Sequence, residues 1–300
     1  MAVSPKLDVT VDGITVTVSN PDKVLFPRSG ITKADLARYY AAVSPTMVPH
    51  VRDRPMTLVR HPNGLDGESF FQKHTPKHYP EWIPRVELAK KGGVIEHSVV
   101  EHPAALVYFA QQNMITPHIG LARRSDLDHP DLFVIDLDPS VDDFDQIRRV
   151  AIGVRAALDR AGLVPFVQLT GSKGLHIVAP LTPTAPWSET QRFGRALSSV
   201  LLAQFPDDLT MEFTKAERGD RIYLDMGRNN YPATFAAPYA VRAFEGAPVV
   251  TPIDWAELDD AEITAQRYTI NTVLDRLEAR GDPWADMASS ARRIIDKSRR

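Results

Sequence analysis

The chain has 300 residues, of which 43% are hydrophobic and 24% are charged, and its formal net charge is -3. This composition is typical of a globular protein with one large or two modest domains, and it gives no general attraction to nucleic acid. The absence of cysteine excludes a disulfide framework, a cysteine-ligated metal site and a thiol nucleophile. No apolar run reaches membrane-spanning length and no signal segment opens the sequence, so we expect a cytoplasmic protein.

The first elements of the chain predict a hairpin and then a helix. Strict alternation of apolar and polar residues around Asp12-Gly13 predicts a hairpin over about residues 7–18 with a type I′ turn. Thr32 and Asp35 resemble a capping box that opens a helix. Lys33 lies in the first turn of that helix. A lysine there is either an ordinary solvated side chain or, beside free helix amides, part of a phosphate site.

An aromatic pair follows the second apolar segment. Residues 54–74 predict a strand, a turn and then the adjacent Phe70 and Phe71. Neighbouring residues on a strand face opposite ways, so we expect one ring in the core and the other as a stacking surface for a base. Residues 86–98 predict a hairpin around the sequence KKGG, and residues 103–115 predict a buried helix.

The middle of the chain carries two acids at the end of a buried strand. The apolar run before Asp136 predicts the strand, and Asp138 lies two residues further on, so both carboxylates face the same way. Two neighbouring carboxylates raise one another's pKa, and a cation such as Mg2+ or Mn2+ removes that cost. For an isolated pair of this kind, a strand-end acid followed by a turn acid is an equally good interpretation.

A Gly/Ser/Lys/Gly loop follows the next predicted helix, which ends at Gly162. The sequence PFVQLTGSKGLHIVAPL predicts two strands joined by residues 171–174, with His176 on the second strand. The two glycines would let backbone amides approach an anion, while Ser172 and Lys173 supply a hydroxyl group and a charge. A polar hairpin turn is the alternative.

The remaining elements complete the prediction. They are a capping box at Ser188 and Gln191, a strand over 221–228 with Asp225, a strand over 237–244 with Arg242, and a helical tail over about 254–300. We see no linker or internal repeat, so we predict a single domain over residues 1–300.

Together these residues describe a site for metal ions and a triphosphate. Two metal ions bridged by Asp136, Asp138 and Asp225 could activate a 3′-hydroxyl and stabilise a leaving pyrophosphate. The phosphates would be neutralised by four residues, namely Ser172, Lys173, His176 and Arg242.

Seven segments in the same order resemble the polymerase domain of bacterial ligase D, a branch of the archaeo-eukaryotic primase superfamily that acts in non-homologous end joining. They are DKVLFP at 22–27, RPMTLVRHPNG at 54–64, FFQKH at 70–74, VIDLDP at 134–139, TGSKGLH at 170–176, YLDMGRN at 223–229 and APYAVRAF at 237–244. The resemblance extends from about residue 17 to about residue 285. It implies an α+β fold, with two β-sheets flanked by helices around an RRM-like catalytic core.

The resemblance also implies roles for individual residues. Asp136, Asp138 and Asp225 would be catalytic and hold two Mn2+ or Mg2+ ions. The incoming nucleotide would meet Ser172, Lys173, His176, His118 and Arg242. A downstream 5′-phosphate would meet Asn20, Lys23 and Lys33, and the DNA would meet Phe70 and Phe71. The hairpin at 86–98 corresponds to a family surface loop that helps to bring DNA ends together.

The implied activity is extension of DNA 3′ ends and filling of short gaps, with a preference for ribonucleotides. The implied partners are broken or gapped DNA, NTP or dNTP, Ku and a DNA ligase. Family members usually sit beside ligase and phosphoesterase domains, which this sequence lacks, so it is either a stand-alone homologue or an excised domain.

Three other classes are compatible with parts of the sequence. A haloacid-dehalogenase-type phosphatase also places DxD after a strand, but on the first strand of a Rossmann-like sheet, and the spacing of Asp220 and Asp225 is one residue too long for its last motif. A nucleotide-sugar transferase uses DxD with manganese, but does not explain the N-terminal lysines. A catalytically inactive module that binds DNA ends would not need the intact acids.

Overall fold

The computed structural model describes residues 5–295 and has a mixed α+β architecture. The strands are β1 (Lys6–Val11), β2 (Ile14–Ser19), β3 (Val24–Phe26), β4 (Ile31–Thr32), β5 (Met56–Arg60), β6 (Phe70–Gln72), β7 (Arg85–Lys90), β8 (Gly93–Ser98), β9 (Met114–Gly120), β10 (Leu132–Asp138), β11 (Phe166–Leu169), β12 (Leu175–Pro180), β13 (Leu209–Thr210), β14 (Ile222–Asp225), β15 (Thr234–Ala236) and β16 (Thr251–Ile253). The helices are α1 (Lys33–Val51), α2 (Ala104–Gln111), α3 (Phe144–Arg160), α4 (Trp187–Gln204), α5 (Lys215–Arg218) and α6 (Val273–Arg280).

The chain forms two compact units. Unit 1 contains residues 1–120, 234–251 and 268–281, and unit 2 contains residues 121–233, 252–267 and 282–300, each up to the limit of the described residues. The single-domain assignment of the sequence analysis stays a prediction. The last five residues of the predicted helical tail, 296–300, lie outside the described residues. The described part of that tail holds α6 and the short 3-10 helices Trp255–Asp259 and Ala288–Ser290.

Unit 1 is built on a four-stranded sheet with the order β15-β9-β5-β6. The predicted N-terminal hairpin is present as β1 and β2, with Asp12 and Gly13 both at positive φ as a type I′ turn requires. Thr32 caps α1 in a full capping box with Asp35, as the sequence predicts. The strands β7 and β8 form the hairpin predicted for residues 86–98.

Unit 2 is built on a six-stranded sheet with the order β13-β14-β10-β12-β11-β16. The strand β10 pairs antiparallel with β12 on one side and with β14 on the other. The ring of Phe133 contacts the ring of Phe193 in α4, with 5.1 Å between their centroids. Because side chains alternate along a strand, Phe133, Ile135 and Leu137 face the helices and the even-numbered residues face the opposite side.

Two predicted elements are wrong. Residues 237–244 form turns, with Tyr239 at a φ of 64°, and the only β-type pairing recorded there is a bridge between Val241 and Val249. The alternating apolar pattern reflects the burial of a folded loop, whereas the neighbouring strand β15 ends at Ala236. The helix α4 begins at Trp187 without a side-chain cap, so Ser188 lies inside its first turn and not at its N-cap.

A third element is shorter than predicted. The strand expected over 221–228 ends at Asp225, and a 3-10 helix follows over Gly227–Asn229. Asn229 in that helix is buried. Its side-chain amide accepts a hydrogen bond from the backbone of Val134 at 2.9 Å and donates one back to it. Asn229 thereby fixes the 3-10 helix beside β10, at Val134, which lies two residues before Asp136.

Within residues 5–295, no helix is long and apolar enough to cross a membrane.

Candidate active site

Strand register brings the three predicted aspartates together on one face of the unit 2 sheet. Asp136 is the direct partner of Asp225 on β14 and of His176 on β12. Asp138 lies two residues along β10, opposite Tyr223, and therefore faces the same side as Asp136. The prediction that both acids of the DxD pattern point the same way is correct.

Two arginines neutralise these acids. Arg228, on the 3-10 helix, places Nη2 at 3.2 Å from Oδ2 of Asp136 and Nε at 3.4 Å from Oδ2 of Asp225. Arg218 places Nη1 at 3.1 Å from Oδ2 of Asp138. Arg218 is buried, donates to the carbonyls of residues 212 and 213, and stacks 4.1 Å from the ring centroid of Tyr223. Arg228 is half-buried and spans the carboxylates of Asp136 and Asp225, so it compensates both charges within the protein.

Asp136 is ionised at neutral pH. Burial by itself raises the pKa of its carboxyl group, but His176 and Arg228 outweigh that effect and lower the pKa to about 2. Nε2 of His176 lies 3.6 Å from Oδ1 of Asp136, and Nδ1 lies 2.9 Å from the side-chain nitrogen of the buried Gln168. His176 is thus held between Gln168 and Asp136, and the sequence analysis did not identify Gln168.

The Gly/Ser/Lys/Gly loop lies against the end of the acid strand. A side chain at Gly174 would put its Cβ 1.8 Å from the carbonyl oxygen of Leu137, so only glycine fits there. The hydroxyl oxygen of Thr170 accepts hydrogen bonds from the amides of Ser172 and Gly174, at 3.3 and 3.2 Å. The side-chain amide of Gln266 also holds this loop, because it donates a hydrogen bond to the carbonyl of Ser172 at 3.0 Å.

The expected use of the loop amides is not seen. The amide of Gly171 donates to the carbonyl of Ala265 at 2.9 Å, and the amides of Ser172 and Gly174 are taken by Thr170. Gly174 therefore serves close packing and Gly171 a turn at a φ of 62°, so any contact with an anion falls mainly to the side chains. Lys173 is exposed and Ser172 is half-buried, so both side chains are accessible.

Unit 1 holds a cluster of three cations, Lys23, Lys33 and Arg60, which we call the lysine cluster. Lys33 is only 3% exposed, contrary to the solvated alternative. Desolvation, together with the charges of Lys23 and Arg60, lowers its pKa to about 8. None of the three forms a salt bridge among the residues that the structure describes. A buried lysine beside two further cations is costly, and a bound anion would remove that cost.

The helix amides expected to assist Lys33 are already used. The amide of Lys33 donates to the carbonyl of Lys23, and that of Ala34 donates to the carbonyl of Pro21, both at 2.9 Å. The amide of Asp35 donates a hydrogen bond to the side-chain hydroxyl of Thr32, the N-cap residue. The first turn of α1 therefore offers an anion the side chain of Lys33 and not a set of free N–H groups.

The segment that carries Asn20 and Lys23 is held against the start of α1. Asn20 adopts a φ of 49° and its carbonyl accepts the amide of Lys23 at 3.1 Å. The ammonium group of Lys23 donates to the carbonyl of Pro62. The structure thus brings Lys23 and Lys33 close together, and their role as a phosphate pocket stays a prediction.

Both phenylalanines of the aromatic pair are exposed, 44% for Phe70 and 62% for Phe71, so the expectation that one lies in the core is wrong. They lie on β6, the edge strand of the four-stranded sheet, and the side chains on both faces of this short strand are accessible. Arg60 lies 5.4 Å from the ring centroid of Phe70. The rings of Phe71 and His118 meet edge-on with centroids 5.9 Å apart.

Arg60 links the aromatic pair to the lysine cluster. It donates to the carbonyl of Gln112 and to the side chain of Gln72, both at 2.6 Å. Sequence reasoning did not select it, nor did it select Arg218 or Arg228. Arg228 lies within the segment YLDMGRN that supports the family resemblance, which was the available signal. Arg242, which belongs to unit 1, lies in a turn with its amide bonded to the carbonyl of Pro248 at 2.7 Å.

The three aspartates suit a divalent metal by ligand type and by position. Carboxylate oxygens are the ligands that Mg2+ and Mn2+ prefer, and antiparallel register places the three side chains on adjacent positions. Within residues 5–295 no three histidine, aspartate or glutamate side chains converge closely enough to hold an ion. The carboxylates of Asp136 and Asp138 instead face Arg228 and Arg218.

A profile described as the primase-polymerase domain of LigD matches residues 32–284. The chain belongs to this family. The antiparallel neighbours of β10 also differ from the parallel sheet expected of a haloacid-dehalogenase-type phosphatase.

LigD proteins of two organisms illustrate the relationship. The chain is 34% identical over 285 residues to the multifunctional non-homologous end joining protein LigD of Mycolicibacterium smegmatis, covering 94% of this chain and 37% of that protein. It is 33% identical over 290 residues to the protein of the same name from Pseudomonas aeruginosa, covering 95% of this chain and 34% of that protein. The chain therefore spans little more than a third of the length of these LigD relatives.

The fold agrees with a solved LigD structure. The polymerase domain of Mycobacterium tuberculosis ligase D, in complex with DNA, superposes with a TM-score of 0.86 and 32% identity, covering 92% of this chain and 99% of that chain. The α+β fold with helix-flanked sheets that the sequence predicts for a LigD polymerase domain is confirmed.

Proposed function

We propose that the chain is a nucleotidyltransferase that extends DNA 3′ ends and fills short gaps during repair of double-strand breaks by end joining. The observation that carries this proposal is the arrangement of Asp136, Asp138 and Asp225 on one sheet face, beside His176 and the loop at 171–174. Membership of the LigD primase-polymerase family and the DNA complex of the tuberculosis domain support it.

The three aspartates would hold two Mn2+ or Mg2+ ions. Such ions, when bound, lower the pKa of a 3′-hydroxyl and stabilise the negative charge of a leaving pyrophosphate. Asp136 is already ionised, as a ligand of these ions must be. Arg228 has planar donors that would suit a phosphate of the incoming nucleotide.

The nucleotide would be oriented by side chains of the loop and of the sheet. Ser172 and Lys173 present a hydroxyl group and an ammonium group beside the end of β10, and His176 is fixed next to Asp136. His118 and Arg242 are further candidates for nucleotide contact, by their resemblance to family positions.

The lysine cluster would bind the 5′-phosphate at the far side of a gap. Lys33 and Lys23 bring two like charges together and Arg60 adds a third, which favours a doubly charged terminal phosphate over an internal phosphodiester. The exposed Phe70 and Phe71 would stack on bases next to it. Asn20 holds the turn that positions Lys23.

A preference for ribonucleotides and cooperation with Ku and a DNA ligase are part of the same proposal, and they rest on the family resemblance. Relative incorporation of ATP and dATP opposite the same template base, on one gapped duplex under single-turnover conditions, tests the sugar preference.

The test of the proposed function is a primer-extension assay on a gapped duplex with a 5′-phosphate, with Mn2+ or Mg2+. We expect template-dependent addition of one to a few nucleotides, lost when Asp136 or Asp138 is replaced by alanine. A folded wild-type protein that binds this DNA yet adds no nucleotide with either ion would leave only the role of an inactive end-binding module.

A further inference from the structure

A small hairpin in unit 1 carries the two lysines of the lysine cluster at its open end. Its strands, β3 and β4, pair antiparallel, and the amide of Lys33 donates a hydrogen bond to the carbonyl of Lys23 at 2.9 Å. Leu25 and Phe26 anchor β3 in the core. The tip of the hairpin, residues 27–30, is exposed, so its position depends on contacts made at the protein surface.

Glu245 holds this tip through both oxygens of its carboxylate. Oε1 accepts a hydrogen bond from the amide of Arg28 at 3.2 Å. Oε2 accepts hydrogen bonds from the amide and the hydroxyl group of Ser29, at 3.2 and 3.1 Å. The guanidinium group of Arg28 adds little, because it lies 4.0 Å from the carboxylate and its side chain is 84% exposed. The attachment therefore depends on three charge-assisted hydrogen bonds from one turn to one carboxylate.

Glu245 belongs to the segment that carries Arg242, residues 239–247, which we call the Arg242 loop. The amide of Phe244 donates to the carbonyl of Arg242 at 2.9 Å, and the guanidinium carbon of Arg242 lies 6.0 Å from the ring centroid of Phe244. The turn closes at Ala247, whose φ is 48° and whose amide donates to the carbonyl of Phe244 at 3.0 Å. Glu245 thus lies inside a closed turn that also fixes the backbone next to Arg242.

The helix α1, which begins at Lys33, provides a second connection to the Arg242 loop. The hydroxyl group of Tyr39 donates to the carbonyl of Tyr239 at 2.8 Å. The hydroxyl oxygen of Tyr40 accepts a hydrogen bond from the amide of Val241 at 3.1 Å. Both tyrosines of α1 are buried, so these bonds are shielded from water. The Arg242 loop is therefore attached to both elements that carry the lysines, the hairpin and α1.

We propose that Glu245 is a positioning residue that couples phosphate binding at the lysine cluster to nucleotide binding by Arg242. A terminal phosphate held by Lys23 and Lys33 would fix the hairpin, and Glu245 would in turn fix the Arg242 loop. A nucleotide that meets an ordered loop loses less of its binding free energy to ordering that loop, so it binds more tightly. The inference rests on the proposed function, because it takes the 5′-phosphate and the nucleotide as the two ligands.

The experiment measures this coupling by binding alone. The full chain is titrated with labelled gapped duplexes that carry a 5′-phosphate or a 5′-hydroxyl, and the primer ends in a dideoxynucleotide so that no addition occurs. Fluorescence anisotropy gives the Kd of each DNA with and without ATP opposite a template thymine, in the presence of Mn2+. For the wild type, ATP should tighten binding of the 5′-phosphate DNA about fivefold more than that of the 5′-hydroxyl DNA, because coupling between two sites is reciprocal. For Glu245→Ala this extra factor should fall to about one.

Three variants separate positioning from a general effect of charge. Glu278→Ala removes an exposed acid elsewhere in unit 1 and should retain the factor. Arg28→Ala should retain it as well, because Glu245 accepts the backbone amide of residue 28. Glu245→Gln keeps one acceptor oxygen and should restore part of it. In steady-state extension of a 5′-phosphate duplex, Glu245→Ala should raise the KM for the nucleotide about fivefold and leave kcat unchanged.

The possible failures are distinguishable. A wild-type factor of one overturns the inference, and so does a factor in Glu245→Ala or Glu278→Ala that equals the other variant's. The preference for 5′-phosphate DNA and the extension activity would stand in those cases. A wild type that binds both DNAs equally without nucleotide would refute the lysine cluster as the phosphate site, and this inference with it.

Discussion

The carboxylate site of unit 2 and the lysine cluster of unit 1 differ in how their like charges are compensated. Around Asp136 and Asp225, strand register brings like charges together and Arg228 compensates them within the protein. Around Lys33, like charges meet and none is compensated by a salt bridge within residues 5–295. A site that carries its own counter-charges must exchange them to bind a ligand, whereas an uncompensated site gains its counter-charge from the ligand itself. The two regions should therefore respond differently to mutation, to metal and to pH.

Replacing Asp136 by alanine should have the largest effect and should separate the two regions. We expect nucleotide addition to fall by at least about a thousandfold, which corresponds to about 4 kcal/mol of activation free energy. Binding of gapped DNA should be nearly unchanged, because the proposed DNA contacts belong to unit 1. Single-turnover extension and a DNA titration measure the two quantities.

Asp142→Asn serves as the control for this prediction, since Asp142 is an exposed acid elsewhere in unit 2. Equal loss of extension and DNA binding in a folded Asp136→Ala protein would contradict the division of labour.

Replacing a lysine of the lysine cluster should act on binding and not on chemistry. Charge-assisted hydrogen bonds contribute ~1.5–3 kcal/mol each, so Lys33→Met or Lys23→Ala should weaken binding of 5′-phosphate DNA by about ten- to a hundredfold. Binding of the same DNA with a 5′-hydroxyl should change little. The measurement is a titration of wild type and variant against both DNAs at one salt concentration.

The exposed Lys6 in the same unit supplies the control variant, Lys6→Ala. If the cluster variants weaken both DNAs to the same extent, the lysines are ordinary backbone contacts and the role in end recognition fails.

Removing Arg228 should reveal the competition between arginine and metal. Without metal, Arg228→Ala leaves Asp136 and Asp225 facing one another and should lower the free energy of unfolding by about 1–2 kcal/mol, a value reduced for the partial exposure of the arginine. Mn2+ should then raise the melting temperature of the variant more than that of the wild type. Thermal melts with and without Mn2+ measure this difference.

Arg195→Ala, on the outer face of α4, should respond to Mn2+ as the wild type does. An equal rise for wild type and Arg228→Ala would mean that the arginine does not occupy the position of a metal.

The lysine cluster should respond to pH near neutrality. Burial and the neighbouring cations lower the pKa of Lys33 to about 8 in the free protein, and a bound phosphate raises it again. Binding therefore takes up a proton above this value, so the preference for 5′-phosphate DNA should be full at pH 7 and fall as pH rises from 8 to 9.5. The expected loss is up to about tenfold per pH unit.

Titration of the phosphate group does not contribute to this pH dependence, because its second pKa is about 6 and its charge is nearly constant above pH 7. Lys33→Met should show no such decline, and a wild-type preference that is constant from pH 7 to 9.5 would argue that Lys33 does not contact the phosphate.

The smallest effect should come from Gln266. Its hydrogen bond to the carbonyl of Ser172 holds the loop at 171–174, and a typical net contribution of such a bond is ~0.5–1.5 kcal/mol. Gln266→Ala should therefore raise the KM for the nucleotide about two- to tenfold and leave kcat unchanged. Glu262→Gln in the same segment should alter neither constant, and a fall in kcat for Gln266→Ala would assign this residue a part in the chemistry.

Sequence reasoning identified the elements whose signal is local. Alternation around Asp12-Gly13 and the Thr32/Asp35 capping box are short-range patterns, and both are present in the structure. The shared face of Asp136 and Asp138 follows from the two-residue period of a strand. The meeting of these acids with Asp225 requires strand pairing between distant segments. The sequence analysis grouped the three acids by the chemistry of a metal–triphosphate site and by the family resemblance, and not by any local pattern.

The errors arise where a residue is used by a partner far away in sequence. The amide of Lys33 donates a hydrogen bond to the carbonyl of Lys23, and the amide of Gly171 donates one to the carbonyl of Ala265. No local sequence pattern predicts these contacts. Burial of Lys33 was missed for the same reason, since a lysine in a first helical turn is ordinarily solvated. Arg228 was overlooked because its role depends on the 3-10 helix that Asn229 fixes to β10.

The exposed phenylalanines also bear on the solubility of the protein. An edge strand with two apolar side chains can recruit another strand and begin aggregation. Here β6 is only three residues long, and Lys73 and Pro76 follow it closely, a combination that prevents extension of the strand. The chain can therefore expose two aromatic rings to a ligand without also exposing a long unpaired strand edge that could pair with another chain. Replacement of Lys73 by valine, which would lengthen the strand, should lower the concentration at which the protein precipitates.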